Sequence, residues 1–185
     1  MVVASPSPQD SCSNATKEDE GGPSPGLQFR RCYGGLIWRV GVDLQMHTVT
    51  AATSALYFQR FFLVEREADF DATRVAMACT WLAAKAREDP HRLRDIVNSF
   101  LALSSTAEKG KVLQMESYWA LRDELVLYEQ AVLRAMGFDA EPTPAYSLLS
   151  ELAWLLRCTP GDHGVTALAW ALLNDAFCSE ICALS

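Results

Sequence analysis

Along most of this chain the hydrophobic positions recur at steps of three and four, the spacing that gathers side chains on one face of an α-helix. The first such stretch runs from Phe29 to Leu44 and carries Tyr33, Ile37, Val40 and Leu44 on its stripe, although Gly34, Gly35 and Gly41 argue against its continuity. A second helix opens at Thr48 or Thr50, either of which can cap. It runs through Ala51, Ala52, Ala55, Leu56 and Phe58 to Leu63, and its alanines favour close-packed neighbours. Asp71 is a good N-cap for a third, which carries Val75, Ala78, Cys79, Leu82 and Ala83 until Asp89-Pro90 stops it. Leu93, Ile96, Val97 and Phe100 mark a short fourth. After a polar stretch from Ser104 to Lys111, a fifth keeps Tyr118, Leu121, Leu125, Tyr128, Val132 and Met136 on one face until Gly137. Five helices with short connectors predict an all-α domain.

The remainder divides into two parts. Residues 1–26 are rich in Ser, Pro, Gly and acid, too polar to offset the entropy of ordering, and read as a disordered acidic arm. Beyond the fifth helix the chain echoes its own beginning without a gap, at an offset of 116 residues. Leu36, Trp38, His47, Val49, Thr50, Ala51, Ala55, Leu56 and Phe61 recur as Leu152, Trp154, His163, Val165, Thr166, Ala167, Ala171, Leu172 and Phe177. Matched Trp and His in one frame point to a duplication. Residues 27–140 then form a first copy, and 141–185 supply about two helices of a second, whose apolar faces would lack partners: either the second copy is truncated or something else covers that surface.

Charge narrows the function. Sixteen Lys and Arg against 23 Asp and Glu leave a formal charge of −7, which disfavours nucleic acid as the main partner. No uncharged apolar run is long enough to span a bilayer, and the start lacks a basic flank and an apolar segment, so neither membrane nor secretory routes are expected. The six cysteines, Cys12, Cys32, Cys79, Cys158, Cys178 and Cys182, mostly sit in apolar helical patterns without Cys-x-x-Cys spacing. They read as reduced thiols in a nuclear or cytoplasmic protein.

The parts of an enzyme are missing. The histidines His47, His91 and His163 are scattered, and no Gly-rich phosphate loop, Gly-x-Ser-x-Gly or His-Glu-x-x-His occurs. Cys178 and Cys182 with His163 fall one ligand short of a zinc site, so no catalytic residue, metal or cofactor is expected. Asp69 with Asp71 and Asp123 with Glu124 read as caps and solvated faces; the mixed charges from Arg87 to Arg94 make a poor phosphate track. Two charges stand out against apolar neighbours: Lys85, after Trp81-Leu82-Ala83-Ala84, and Glu129, inside Leu125-Val126-Leu127-Tyr128 and Ala131-Val132-Leu133. Each suits contact with another protein. Equally, Lys85 can snorkel and Glu129 can pair with Arg122 or Arg134 on its own helix.

Four segments in order resemble a cyclin. Residues 51–61, ending in Arg60-Phe61, resemble the second helix of a cyclin box, and residues 81–88 resemble the family's Leu-Ala-Ala-Lys-x-Glu-Glu signature. Arg94-Asp95-Ile96-Val97-Asn98 and residues 129–139 resemble its fourth and fifth helices. The fourth-helix motif and residues 165–177 are most similar to the transcription-type branch of cyclins K, L, T and Q, and to cyclin-Q above all. The resemblance implies a five-helix cyclin box followed by a partial second one. It also implies a non-catalytic subunit that binds and activates a cyclin-dependent protein kinase by holding the kinase's αC helix inward. The family's two kinase-contacting charges map onto Lys85 and Glu129, and Arg30 and Arg60 match structural arginines.

Three departures stand beside it. Arg87 replaces the first Glu of the signature, a reversed charge beside the expected interface. Phe29-Arg30-Arg31-Cys32-Tyr33 stands where cell-cycle cyclins carry Met-Arg-Ala-Ile-Leu, so no substrate-docking groove of that type is expected. Gln59 replaces an acid before Arg60, so an ion pair with Arg30 is expected to be lost or replaced by a neutral hydrogen bond. The rival readings are a cyclin-fold nucleic-acid or polymerase adaptor resembling a general transcription factor, and a truncated cyclin that does not activate.

Overall fold

The computed structural model describes residues 25–104, 115–140, 145–157 and 163–179. The predicted arm up to residue 24, residues 105–111 of the polar stretch, and Cys12, Cys158 and Cys182 lie outside them. Helices follow one another as α1 (Pro25–Asp43), α2 (Thr48–Val64), a 3-10 turn (Glu67–Asp69), α3 (Ala72–Ala86), α4 (Leu93–Ser104), α5 (Met115–Ala135), α6 (Tyr146–Leu155) and α7 (His163–Phe177). Among the described residues there is no strand, and no helix long and apolar enough to cross a membrane.

α1 begins four residues before Phe29 and takes in Pro25 and Gly26, the last residues assigned to the arm. Proline suits this place, since its fixed φ is helical and its missing N–H is not needed in the first turn. The helix also runs unbroken through its glycines, against the sequence expectation. Two of them allow close approach. A Cβ on Gly41 would lie 2.9 Å from the Ala51 Cβ, and one on Gly34 would lie 2.9 Å from the Cys178 Cα. Helix propensity of about 1 kcal/mol per glycine is given up for backbone contact with α2 and with the end of α7.

α2 is the axis of the fold: every residue from Thr50 to Gln59 is buried. A helix that is apolar all round belongs inside, and α1, α3 and α5 pack around this one. Its polar side chains find internal partners. Thr53 Oγ1 donates to the Val49 carbonyl at 2.8 Å, and the Ser54 and Thr80 hydroxyls share a 2.8 Å hydrogen bond. Asp71 caps α3 as expected, Oδ1 accepting from Thr73 N at 2.9 Å and Arg74 N at 3.1 Å. Ser99 Oγ donates to Asp43 Oδ2 at 2.6 Å, fastening α4 to the end of α1. α5 ends just before Gly137, as its sequence position suggested, and Gly137 takes the left-handed conformation at φ +62°.

The internal echo falls on helices. α7 starts at His163, the counterpart of His47, which immediately precedes α2. α6 and α7 pack through Tyr146, whose ring stacks on Trp170 at 4.5 Å and whose hydroxyl donates to Asn174 Oδ1 at 2.7 Å. Phe177 joins the main core, and the Tyr57 hydroxyl donates to the Ala140 carbonyl, where the chain leaves the first five helices.

Candidate partner-binding site on helices α3 and α5

α3 and α5 pack against each other, and this brings Lys85, in the last turn of α3, to Glu129 on α5. Lys85 Nζ donates to Glu129 Oε1 and lies 3.8 Å from the centroid of the Trp81 ring, one turn earlier on α3. The ammonium thus sits between a carboxylate and an aromatic face, both of which favour a cation. The lysine side chain remains 45% exposed while that of Glu129 is 13% exposed. The two charges therefore form a half-open pair. An ammonium carries three N–H donors and a carboxylate two acceptor oxygens, so this pair retains capacity for the polar groups of another polypeptide. The local alternative for Glu129 is not realised in this form: its partner is Lys85 on another helix, and the Arg122 guanidinium lies 5.3 Å from the Trp119 ring.

A second bridge, Arg74 to Glu124 at 3.1 Å, joins α3 to α5 further along. Arg87, expected as a reversed charge beside the interface, turns inward: its Nε donates to Thr53 Oγ1 on α2 at 3.0 Å. Its charge also reaches Tyr57, where it opposes the effect of burial, which on balance pushes the phenol up to about 12.

The predicted structural arginines differ in depth. Arg30 is buried, and its guanidinium donates to the carbonyls of Gln59 at 3.1 Å and Phe62 at 2.6 Å, serving the C-terminal carbonyls of α2. The neutral hydrogen bond expected of Gln59 exists in another form. Its Nε2 donates to the Arg30 backbone carbonyl at 3.4 Å, and its Oε1 has no partner. Arg60 is half-buried, and its charge is felt by Tyr57. Phe29 and Tyr33, from the segment compared with the docking motif, pack into an aromatic cluster with Phe58 and Phe62.

Sequence reasoning missed one polar centre. His47 and His91, scattered along the chain, converge on Asp89. Asp89 Oδ2 accepts from the His47 backbone N–H at 2.9 Å and lies 3.1 Å from His47 Nδ1, while Oδ1 lies 3.2 Å from His91 Nε2. Burial pushes this carboxyl's pKa up, but hydrogen bonds from the His47 backbone, Thr50 and the His47 ring outweigh it and hold the pKa below its ordinary value. The only sequence signal was an acid immediately before a proline. This centre ties the start of α2 to the α3–α4 connection. No group of three or more His, Cys, Asp or Glu able to hold a metal occurs among the described residues. Cys32, Cys79 and Cys178 are reduced, outside any disulfide; burial raises the pKa of Cys79 and Cys178, which disfavours the reactive thiolate.

Residues 12–141 match the family model described as Cyclin, N-terminal domain. Among similar proteins, cyclin-L2 of Mus musculus is 30% identical over 149 residues, covering 79% of this chain and 29% of its own length. Cyclin pch1 of Schizosaccharomyces pombe is 30% identical over 152 residues, covering 80% and 43%, and Homo sapiens cyclin-K is 26% identical over 163 residues, covering 86% and 27%. The chain thus spans less than half the length of these relatives. A chain in the crystal structure of the yeast RNA Pol II CTD kinase CTDK-1 complex superposes with a TM-score of 0.72 at 18% identity, over 95% of this chain and 54% of that one. That likeness concerns the fold, an all-α cyclin box.

Proposed function

We propose that this chain, which belongs to the cyclin family through its N-terminal cyclin domain, is a non-catalytic regulatory subunit that binds and activates a cyclin-dependent protein kinase linked to transcription. The observation that carries the reading is the half-open Lys85–Glu129 pair, mounted on two packed helices and backed by Trp81. Its assignment to the kinase contact rests on the family resemblance of the two positions. In this reading residues 27–140 form the first cyclin box, and the pair meets backbone groups beside the kinase's αC helix. With that helix held inward, the kinase's own Glu orients the Lys that aligns ATP phosphates. Trp81 acts as a positioning residue, keeping the ammonium in place while Glu129 exchanges partners. The setting of the structural neighbour, a kinase complex, supports a kinase partner, and the cyclin-L and cyclin-K relatives support the transcription-type branch. Placement beside cyclin-Q and residence in the nucleus, the cytoplasm or both belong to the same proposal.

Co-expression with candidate cyclin-dependent kinases, followed by co-purification and a phosphorylation assay, tests it. Lys85→Ala or Glu129→Ala should each weaken binding by about 2 kcal/mol, roughly thirtyfold, with helix content unchanged. Wild-type affinity in both variants would remove the assignment. Retained binding with no rise in kinase activity would remove the activating role and leave the binding one.

A further inference from the structure

Helix α5 carries two stripes, although the core needs only one. The first, Leu121, Leu125, Tyr128 and Val132, turns inward, and Leu125 and Val132 are 0% exposed. The second, Trp119, Arg122, Val126, Glu129 and Leu133, also advances by steps of three and four, so it follows one flank of the helix for about 21 Å at 1.5 Å per residue. Its members are half-buried or exposed. Glu129 belongs to this stripe, so the surface that holds the Lys85–Glu129 pair continues toward the start of α5. There it is built around a cation. The Arg122 guanidinium lies 5.3 Å from the centroid of the Trp119 ring, which is 48% exposed and meets Tyr118 edge-on at 5.6 Å. Stacking uses the face of a guanidinium and leaves its in-plane N–H donors available. Arg74 bridges to Glu124 and Arg87 turns inward to Thr53, whereas among the described residues no carboxylate forms an ion pair with Arg122.

We propose that Arg122, held in place by Trp119, binds an acidic side chain of the kinase and so helps to select which kinase is accepted. This rests on the functional reading above: the polypeptide seated on the Lys85–Glu129 pair also covers the stripe about 10 Å further along α5, seven residues before Glu129. Two observations favour a carboxylate as what Arg122 meets. The guanidinium is exposed, oriented by an aromatic ring and without an anionic partner among the described residues, and its planar fork matches the two oxygens of a carboxylate. The stripe also joins Trp and Arg to the aliphatic Val126 and Leu133 on one flank, the side-chain types that carry most binding energy at protein interfaces among them. A kinase with Lys or Arg at the facing position is disfavoured by like-charge repulsion, so the discrimination follows from charge rather than area. Trp119 is a positioning residue: it reduces the entropy lost when the arginine is ordered at the interface.

Titration calorimetry of the full chain against the kinase that co-purifies with it tests the proposal. Arg122→Glu should weaken binding about tenfold or more, and Arg122→Lys about threefold, with the urea stability of the free chain unchanged. Trp119→Ala should weaken binding about fivefold alone and add nothing to Arg122→Glu, because it acts through the arginine, while Trp119→Phe should stay near wild type. Replacing the exposed Asp and Glu residues on and beside the kinase's αC helix by Lys, one at a time, should restore the affinity of Arg122→Glu at one position. Wild-type affinity in Arg122→Glu, with Lys85→Ala still weakened, would overturn this proposal and leave the functional reading standing. So would additive losses from Trp119→Ala and Arg122→Glu, the absence of any restoring position, or a fall in the stability of the free chain that matches the loss of binding, which would mean that the stripe packs within this chain. A wild type that binds no cyclin-dependent kinase would remove both.

Discussion

Two helix pairs of this chain, residues 36–61 and 152–177, carry identical residues at nine matched positions, and the two pairs have different surroundings. In α1 and α2, Val40 is 0% and Leu56 3% exposed; their counterparts Leu156 and Leu172 are 72% and 60% exposed. Phe61 and Phe177, also counterparts, are both buried. An apolar stripe is therefore a property of the helix, and its burial is a property of the company it keeps. Only the edge of the second pair that meets the first five helices is covered by described residues, at Phe177 and Tyr146.

Substitutions at matched positions sharpen the contrast. Leu56→Ala should cost 2–5 kcal/mol in urea denaturation, by lost transfer energy and the cavity left behind. Leu172→Ala, at a residue 60% exposed, should stay within about 0.5 kcal/mol. Equal losses would mean that α7 is packed as tightly as α2. Gly34→Ala should cost about 1–3 kcal/mol, because the new methyl meets the backbone at Cys178, and should raise hydrogen exchange in α7. The same test at Ser150, its exposed counterpart on α6, should change neither.

A smaller effect is expected at the acid that anchors α2. With its folded-state pKa held below the unfolded value, Asp89 contributes stability that is complete above the ordinary carboxylate range and is lost as pH falls through the folded pKa. Asp89→Asn should cost about 1 kcal/mol at neutral pH and flatten the acid limb of the stability profile. The least change, within about 0.5 kcal/mol, is expected of Trp154→Ser at a residue 82% exposed.

Helix ends were legible wherever a residue carries its own local signal. Asp71 caps, Pro90 forbids continuation and Gly137 takes a positive φ. The close packing around α2 followed from its alanines, whereas its burial from Thr50 to Gln59 is a finding of the structure. What escaped was contact between distant residues. The Lys85–Glu129 bridge joins positions 44 residues apart and leaves no trace in local spacing. The same is true of Arg87 turning toward Thr53, and of two histidines meeting at Asp89. The continuity of α1 was misjudged because glycine propensity is a local cost, while its return, close contact with Ala51 and Cys178, comes from elsewhere in the chain.

Tyr57 lies midway along the innermost helix, and its hydroxyl holds the carbonyl of Ala140. The backbone at Ala140 is thus moored at the hub rather than at the rim, so a load applied to that carbonyl is borne by the best-buried helix of the protein.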